Sequence, residues 1–231
     1  MPASYEGELP GAGGGILWHL DLLPLGRYQL RTTYKNRPEP NRFDDIGRWR
    51  QLPDTGRLLL RGGRGTPLTF IPDDGGRTLR KADITGKPVA SNHNGRLQRL
   101  AQLSLIEPRL ALTGMFTYMA DAAAITLCAD GGRLPVAMEA DYKALEAAYL
   151  KERREPGQAL LVSLEGLIAP RPSMEANRPS RPTLVVERFI SAWPRESCGE
   201  KVERCRISGS HLEMLDAAGL VLARFEAVAL R

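Results

Sequence analysis

The side chains of this 231-residue chain best suited to soft-metal or thiol chemistry are three cysteines, three histidines and six methionines. They are scattered. Cys128, Cys198 and Cys205 permit three different single bridges, and spacing alone does not choose among them. Met115 and Met119 share one face of a strand-like run. With His19 and His93 they could offer thioether and imidazole ligands to Cu(I). Without a tight cluster the methionines read as packing and His19 as an exposed strand residue, so no metal site is expected. Glu165 and Glu187 lie in apolar strand-like runs, but acid–base work by paired carboxylates would need them brought together in space. Neither a Gly-x-Ser-x-Gly elbow nor a His-Glu-x-x-His helix occurs. No catalytic residue and no cofactor are expected, and the chain reads as a non-enzyme.

Two glycine-rich runs have compositions that can hold a ligand. Gly11-Ala12-Gly13-Gly14-Gly15 could cradle a phosphate only if a helix followed it at once. The next residues alternate as a strand, so a loop is the better account. Arg61-Gly62-Gly63-Arg64-Gly65 resembles an element used on single-stranded nucleic acid, yet it occurs once, between strands, without aromatic partners. It reads as a hairpin loop. Phe116 and Tyr118, the local candidates for base stacking, read as core, and no nucleic-acid partner is expected.

The elements that must position these residues are mostly strands. Ile16, Trp18, Leu20 and Leu22 alternate with other residues, and after Pro24-Leu25-Gly26 so do Tyr28, Leu30, Thr32 and Tyr34. Period 2 on both sides of a turn is a hairpin with one buried face. Shorter runs follow at Ile46 to Leu52, Arg57 to Arg61, Pro67 to Pro72, Arg77 to Ala82 and Lys87 to Ala90, separated by turn residues. Asn92 to Gly95 reads as a turn or linker. Close spacing without helices predicts an up-and-down antiparallel barrel or a strongly curled sheet. From Leu100 the pattern resumes with strands at Ala111 to Ala120, Ala159 to Ile168 and Thr183 to Ala192. A single helix is predicted over Met138 to Glu152, with Met138, Tyr142, Leu145 and Tyr149 as its stripe and Glu139 and Asp141 in its first turn. That set of elements suits an OB-like barrel. Cys205 to Leu230 reads as one more hairpin. The predicted units are 1–100, 101–200 and 201–231.

Composition agrees with a folded chain, at 42% hydrophobic and 26% charged residues. Its 17 prolines and 23 glycines punctuate short apolar runs as in an all-β protein with many turns. The net charge of +5 is uneven: residues 1–100 hold 16 Lys and Arg against 10 Asp and Glu, and the rest hold 16 against 17. An anionic partner could use the basic half, although arginines at alternate strand positions read first as a solvated face. No apolar run reaches the roughly 20 residues that cross a bilayer. Met1 to Ser4 lead straight into a strand-like segment, so the sequence reads as a mature chain whose leader has been removed.

Several segments resemble one family. Tyr5-Glu6-Gly7-Glu8-Leu9-Pro10 with Gly15-Ile16, then Gly26-Arg27-Tyr28-Gln29-Leu30, Gly47-Arg48-Trp49 and the Leu79-Arg80-x-x-Asp83 strand are similar to the N-terminal domain of NlpE-type copper-homeostasis and envelope-stress lipoproteins. Gly114 to Ala123, Cys128-Ala129-Asp130-Gly131, Pro135-Val136-Ala137 and Leu145-Glu146-x-x-Tyr149-Leu150 resemble that family's second domain. The tail, with Arg206-Ile207-Ser208-Gly209, Leu212 to Asp216 and Ala223-Arg224-Phe225, is similar to the last hairpin of META (HslJ-like) domains.

The resemblance implies a lipocalin-like barrel followed by an OB-fold domain, in a lipid-anchored protein on the periplasmic face of the outer membrane. Its implied role is to activate an envelope stress response through a Cpx-type sensor kinase, with an association to copper homeostasis. One departure stands out: Gly11-Ala12-Gly13-Gly14 replaces the family's Cys-x-x-Cys. An N-terminal cysteine for lipidation is also missing, which would place the anchor outside this sequence. In the oxidising compartment so implied, Cys128–Cys198 is the favoured bridge, closing a roughly 70-residue loop for about 4 kcal/mol; Cys198–Cys205 competes with it. The expected function is contact with envelope proteins, as a sensor or adaptor. The alternatives are a carrier of a small apolar ligand held among Trp18, Leu20, Tyr28 and Leu30, and a Cu(I)-binding protein.

Overall fold

A computed structural model describes residues 2–11, 14–63, 66–83, 85–89, 95–120, 122–172 and 179–198, together with the backbone of 204–208, 211–215 and 221–226. Eight antiparallel strands close the first barrel in sequence order: β1 (Ala3–Gly11), β2 (Gly14–Leu23), β3 (Arg27–Tyr34), β4 (Arg42–Gln51), β5 (Leu58–Gly62), β6 (Leu68–Asp73), β7 (Thr78–Lys81) and β8 (Arg96–Arg99). Closure comes from Tyr5 of β1 pairing with Arg99 of β8. This ring removes every strand edge. Alternation does the sorting, with Trp18, Leu20, Tyr28, Leu30, Phe70, Leu79 and Leu97 pointing inward and buried. Gly7 lets β1 and β8 close up, since a Cβ there would sit 2.2 Å from the Arg96 carbonyl oxygen.

One reading of the first barrel needs correction. Lys87 to Val89 is not a ladder strand: Pro88 makes one isolated bridge with Ala82, because proline has no N–H to continue pairing. Ala90 lies outside the described residues. The eighth strand is Arg96–Arg99 instead, where one buried residue, Leu97, is too little to register as a period.

The second sheet has the order β11 (Arg133–Pro135), β10 (Ala122–Leu127), β9 (Arg109–Met119), β12 (Leu160–Arg171), β13 (Arg181–Trp193). Its ends approach each other: Val136 bridges Leu184 in parallel, and the Ala137 N–H donates to the Leu184 carbonyl at 2.8 Å. The result is an OB-type barrel whose core includes Phe116, Ile125, Val162, Leu164 and Val186. Helix α1 (Tyr142–Glu152) packs Tyr142, Leu145 and Tyr149 onto it. Phe116 meets Tyr149 edge to face at 5.2 Å, so that ring is core and presents no stacking surface.

The helix is shorter at its start than its periodicity suggests. Ala140 has φ +51°, which breaks the helical path. Met138 is 56% exposed, outside the buried stripe. The two acids expected in the first turn precede it: Glu139 pairs with Arg171 of β12, and Asp141 Oδ2 accepts the Phe189 N–H at 2.7 Å.

The tail forms three antiparallel strands, β14 (Arg204–Ser208), β15 (His211–Leu215) and β16 (Val221–Glu226), one more than a hairpin. Register pairs Cys205 with Met214. The turn read at Asp216 to Gly219 lies outside the described residues, as does the Cys205 side chain.

Candidate functional site at the seam between the barrels

The outward faces of β1 to β4 should be wet, because in a closed barrel every second residue leaves the core. On this face they are not. Ser4, His19, Asp21, Arg31 and Asp44 run diagonally across the four strands through the pairs Ser4–Asp21, His19–Arg31 and Arg31–Asp44. The connection between the barrels lies along them. Asp21 has no exposed surface and Asp44 is 5% exposed.

Buried carboxylates demand donors, and the connecting segment supplies them. Ser104 N–H donates to Ser4 Oγ at 3.0 Å, and the Ser4 hydroxyl donates to Asp21 Oδ1. Ile106 N–H reaches Asp21 Oδ2 at 2.9 Å, and Arg109 N–H reaches Asp44 Oδ2 at 2.8 Å. Arg31 grips both oxygens of Asp44, each at 2.8 Å, and also donates to the Glu107 carbonyl at 2.7 Å. Each such charge-assisted bond contributes about 1.5–3 kcal/mol. The connection is therefore a clasp, held at both ends by an aspartate of the first barrel. On the far side, Ile168 N–H donates to the Pro108 carbonyl at 2.9 Å, tying the same segment to β12.

His19 completes the clasp and corrects the expectation of an exposed residue: its side chain is 12% exposed. Its Nδ1 lies 2.6 Å from Glu6 Oε1 and its Nε2 3.1 Å from Asp21 Oδ1. Burial disfavours the charged ring most strongly of any single influence, but hydrogen bonds and charges from Asp21 and Glu6 together outweigh it. The pKa is raised above 6.5. A protonated ring donates to both carboxylates; a neutral one can donate to one of them.

Beside the clasp a cleft of about 670 Å³ separates the barrels, bounded by Phe43 and Asp45 of β4 and by Leu112, Ser163 and Ile190 of the second sheet. Ile46 of the first barrel joins the second barrel's core.

The other sequence candidates fall elsewhere. Trp18, Leu20, Tyr28 and Leu30 lie in the interior of the first barrel, packed in one apolar cluster, with Trp18 edge-on to Phe70 at 6.2 Å. Cys128 and Cys198 are joined, S–S 2.06 Å, tying the end of β10 to the residues after β13. Glu165 pairs with Arg188 and Glu187 with Arg109, so neither carboxylate faces the other. Met115 is partly buried and Met119 is 62% exposed. Among the described residues no three His, Cys, Asp or Glu side chains are arranged so that they could hold a metal ion. Gly11 pairs with Gly14 where β1 turns into β2; Ala12 and Gly13 lie outside the described residues, as do Arg64, Gly65 and His93. Sequence reasoning missed Ser4, Asp21, Arg31 and Asp44, whose polar character matches any solvated strand face. The one signal was aspartates standing among β-formers on β2 and β4, the two strands that flank β3.

Comparison with known proteins places two family models on the chain, the NlpE N-terminal domain at residues 5–92 and the NlpE C-terminal OB domain at 106–199. The chain is 32% identical over 200 residues to "Lipoprotein NlpE" of Escherichia coli (strain K12), covering 86% of this chain and 81% of that protein. It is similar to the crystal structure of the Cpx pathway activator NlpE from Escherichia coli, at 32% identity. That match covers 87% of this chain and all of that one, with a TM-score of 0.37.

Proposed function

This chain belongs to the NlpE lipoprotein family, and from that premise we propose that it works by contact, as a non-enzymatic stress-sensing adaptor. It is lipid-anchored on the periplasmic face of the outer membrane and engages envelope proteins that include a Cpx-type sensor kinase. The observation that carries this reading is the clasp. A sensor built of two barrels must pass a change in one to the other, and the hydrogen bonds from the connecting segment to Asp21 and Asp44 support such a route. The proposed units are 1–100, 101–200 and a META-like tail at 201–231.

Its link to copper homeostasis runs through signalling rather than metal capture, since Gly11 and Gly14 stand where the family's Cys-x-x-Cys thiols would be. Titration of the full chain with Cu(I) is expected to give no tight stoichiometric site; a tight site would contradict this part. The main test is to produce the chain with a lipoprotein leader in cells carrying a Cpx-response reporter, and to co-purify it with the kinase's periplasmic domain. Reporter activation with a stable complex is expected. Neither response nor complex, from a chain that is folded and anchored, would refute the adaptor role.

A further inference from the structure

The seam has a second, basic region away from the clasp. Arg27, Arg48 and Arg61 stand directly opposite one another across β3, β4 and β5, an arrangement that costs stability unless the charge is used. The loop after Cys128 is pressed against two of them. A Cβ on Gly131 would lie 2.8 Å from an Arg48 guanidinium nitrogen, and one on Gly132 would lie 2.9 Å from Arg27 Nη1.

A cavity of about 280 Å³ opens there between the barrels, with Arg27 from the first and Arg133 and Arg181 from the second in its wall. None of these three guanidiniums makes an ion pair among the described residues, and the buried Arg27 Nε has no hydrogen-bond partner. The one carboxylate in the wall, Asp130, uses Oδ1 to accept the Gly132 N–H at 2.7 Å. Three cations against one anion leave two positive charges unanswered in a space that admits a tetrahedral oxyanion together with part of the group that carries it.

Guanidinium groups match phosphate oxygens in pairs, which an isolated ammonium cannot do. We propose that this inter-barrel cavity is a binding site for a phosphomonoester, held by Arg27, Arg133 and Arg181. Because the site takes one arginine from the first barrel and two from the second, its occupant bridges the domains. The group can arrive on a lipid, as in phosphatidic acid, or as a soluble phosphate.

The test uses the full chain with inorganic phosphate in a calorimetric titration, and with phosphatidylcholine vesicles with and without phosphatidic acid. Saturable phosphate binding near one to one is expected. Arg133→Gln with Arg181→Gln should weaken it by at least about tenfold, as expected for losing charged hydrogen bonds. Both side chains are exposed, so this variant should fold. A control with the same charge change, Arg50→Gln with Arg77→Gln, removes exposed arginines elsewhere and should change affinity by no more than about twofold. Vesicle binding that needs phosphatidic acid and is displaced by phosphate assigns the site to a headgroup; phosphate binding without vesicle binding assigns it to a soluble ligand. No saturable phosphate binding in either arm, or equal loss in the control, would overturn the proposal.

Discussion

Asp21 is the residue on which most depends. It has no exposed surface and accepts from the Ser4 hydroxyl and the Ile106 N–H, with His19 Nε2 also in reach. Asp21→Ala strands these donors and is expected to cost about 2–4 kcal/mol in urea unfolding; an unchanged midpoint would show that the network carries no stability. His19 gives the clasp a pH dependence of definite sign. Its pKa is higher folded than unfolded, so its contribution is complete below about 6.5 and fades as pH rises through the folded value. Unfolding measured at mildly acidic and mildly alkaline pH should show lower stability on the alkaline side. His19→Gln should remove that part of the difference, and an equal difference in the variant would assign it to other groups. In the sequence Ser4, His19 and Asp21 occupy outward strand positions that look solvated. Their burial comes from a segment about a hundred residues away in the chain, which no local pattern encodes.

Among the elements, those with long clean periods could be read and those defined by a few residues could not. The hairpin of β2 and β3 follows from alternation at Trp18, Leu20, Tyr28 and Leu30, and α1 from Tyr142, Leu145 and Tyr149. β8 rests on Leu97 alone, and the start of α1 is set by the left-handed Ala140, a backbone choice that side-chain periodicity does not carry. The same position gives a prediction: Ala140→Gly relieves the positive φ and should stabilise the chain by about 0.5–1 kcal/mol. A lower melting temperature would contradict it. The bridge from Cys128 to Cys198 spans 70 residues and encloses β11, α1, β12 and β13. Cys128→Ser with Cys198→Ser should lower the second barrel's stability by up to about 4 kcal/mol. Equal unfolding midpoints with and without the bridge would show that it closes nothing the fold does not already hold.

At the scale of the whole molecule, both barrels were legible from strand spacing and the single helix, and the family from its motifs. The way the barrels meet was not. That geometry comes from Ser4, Asp21, Arg31 and Asp44 gripping residues 104–109, and from Ile46 joining the neighbouring core. In the proposed role, these contacts make the two barrels one mechanical unit. Measuring the inter-barrel distance distribution by pulsed electron resonance tests this most directly, with spin labels at positions 50 and 150, both exposed, in a chain carrying Cys205→Ser. One narrow distribution is expected for the otherwise native chain, broadening when Asp21→Ala and Asp44→Ala release the clasp. A broad distribution in the native chain, or an unchanged narrow one after both aspartates are removed, would contradict the coupling on which the proposed role rests.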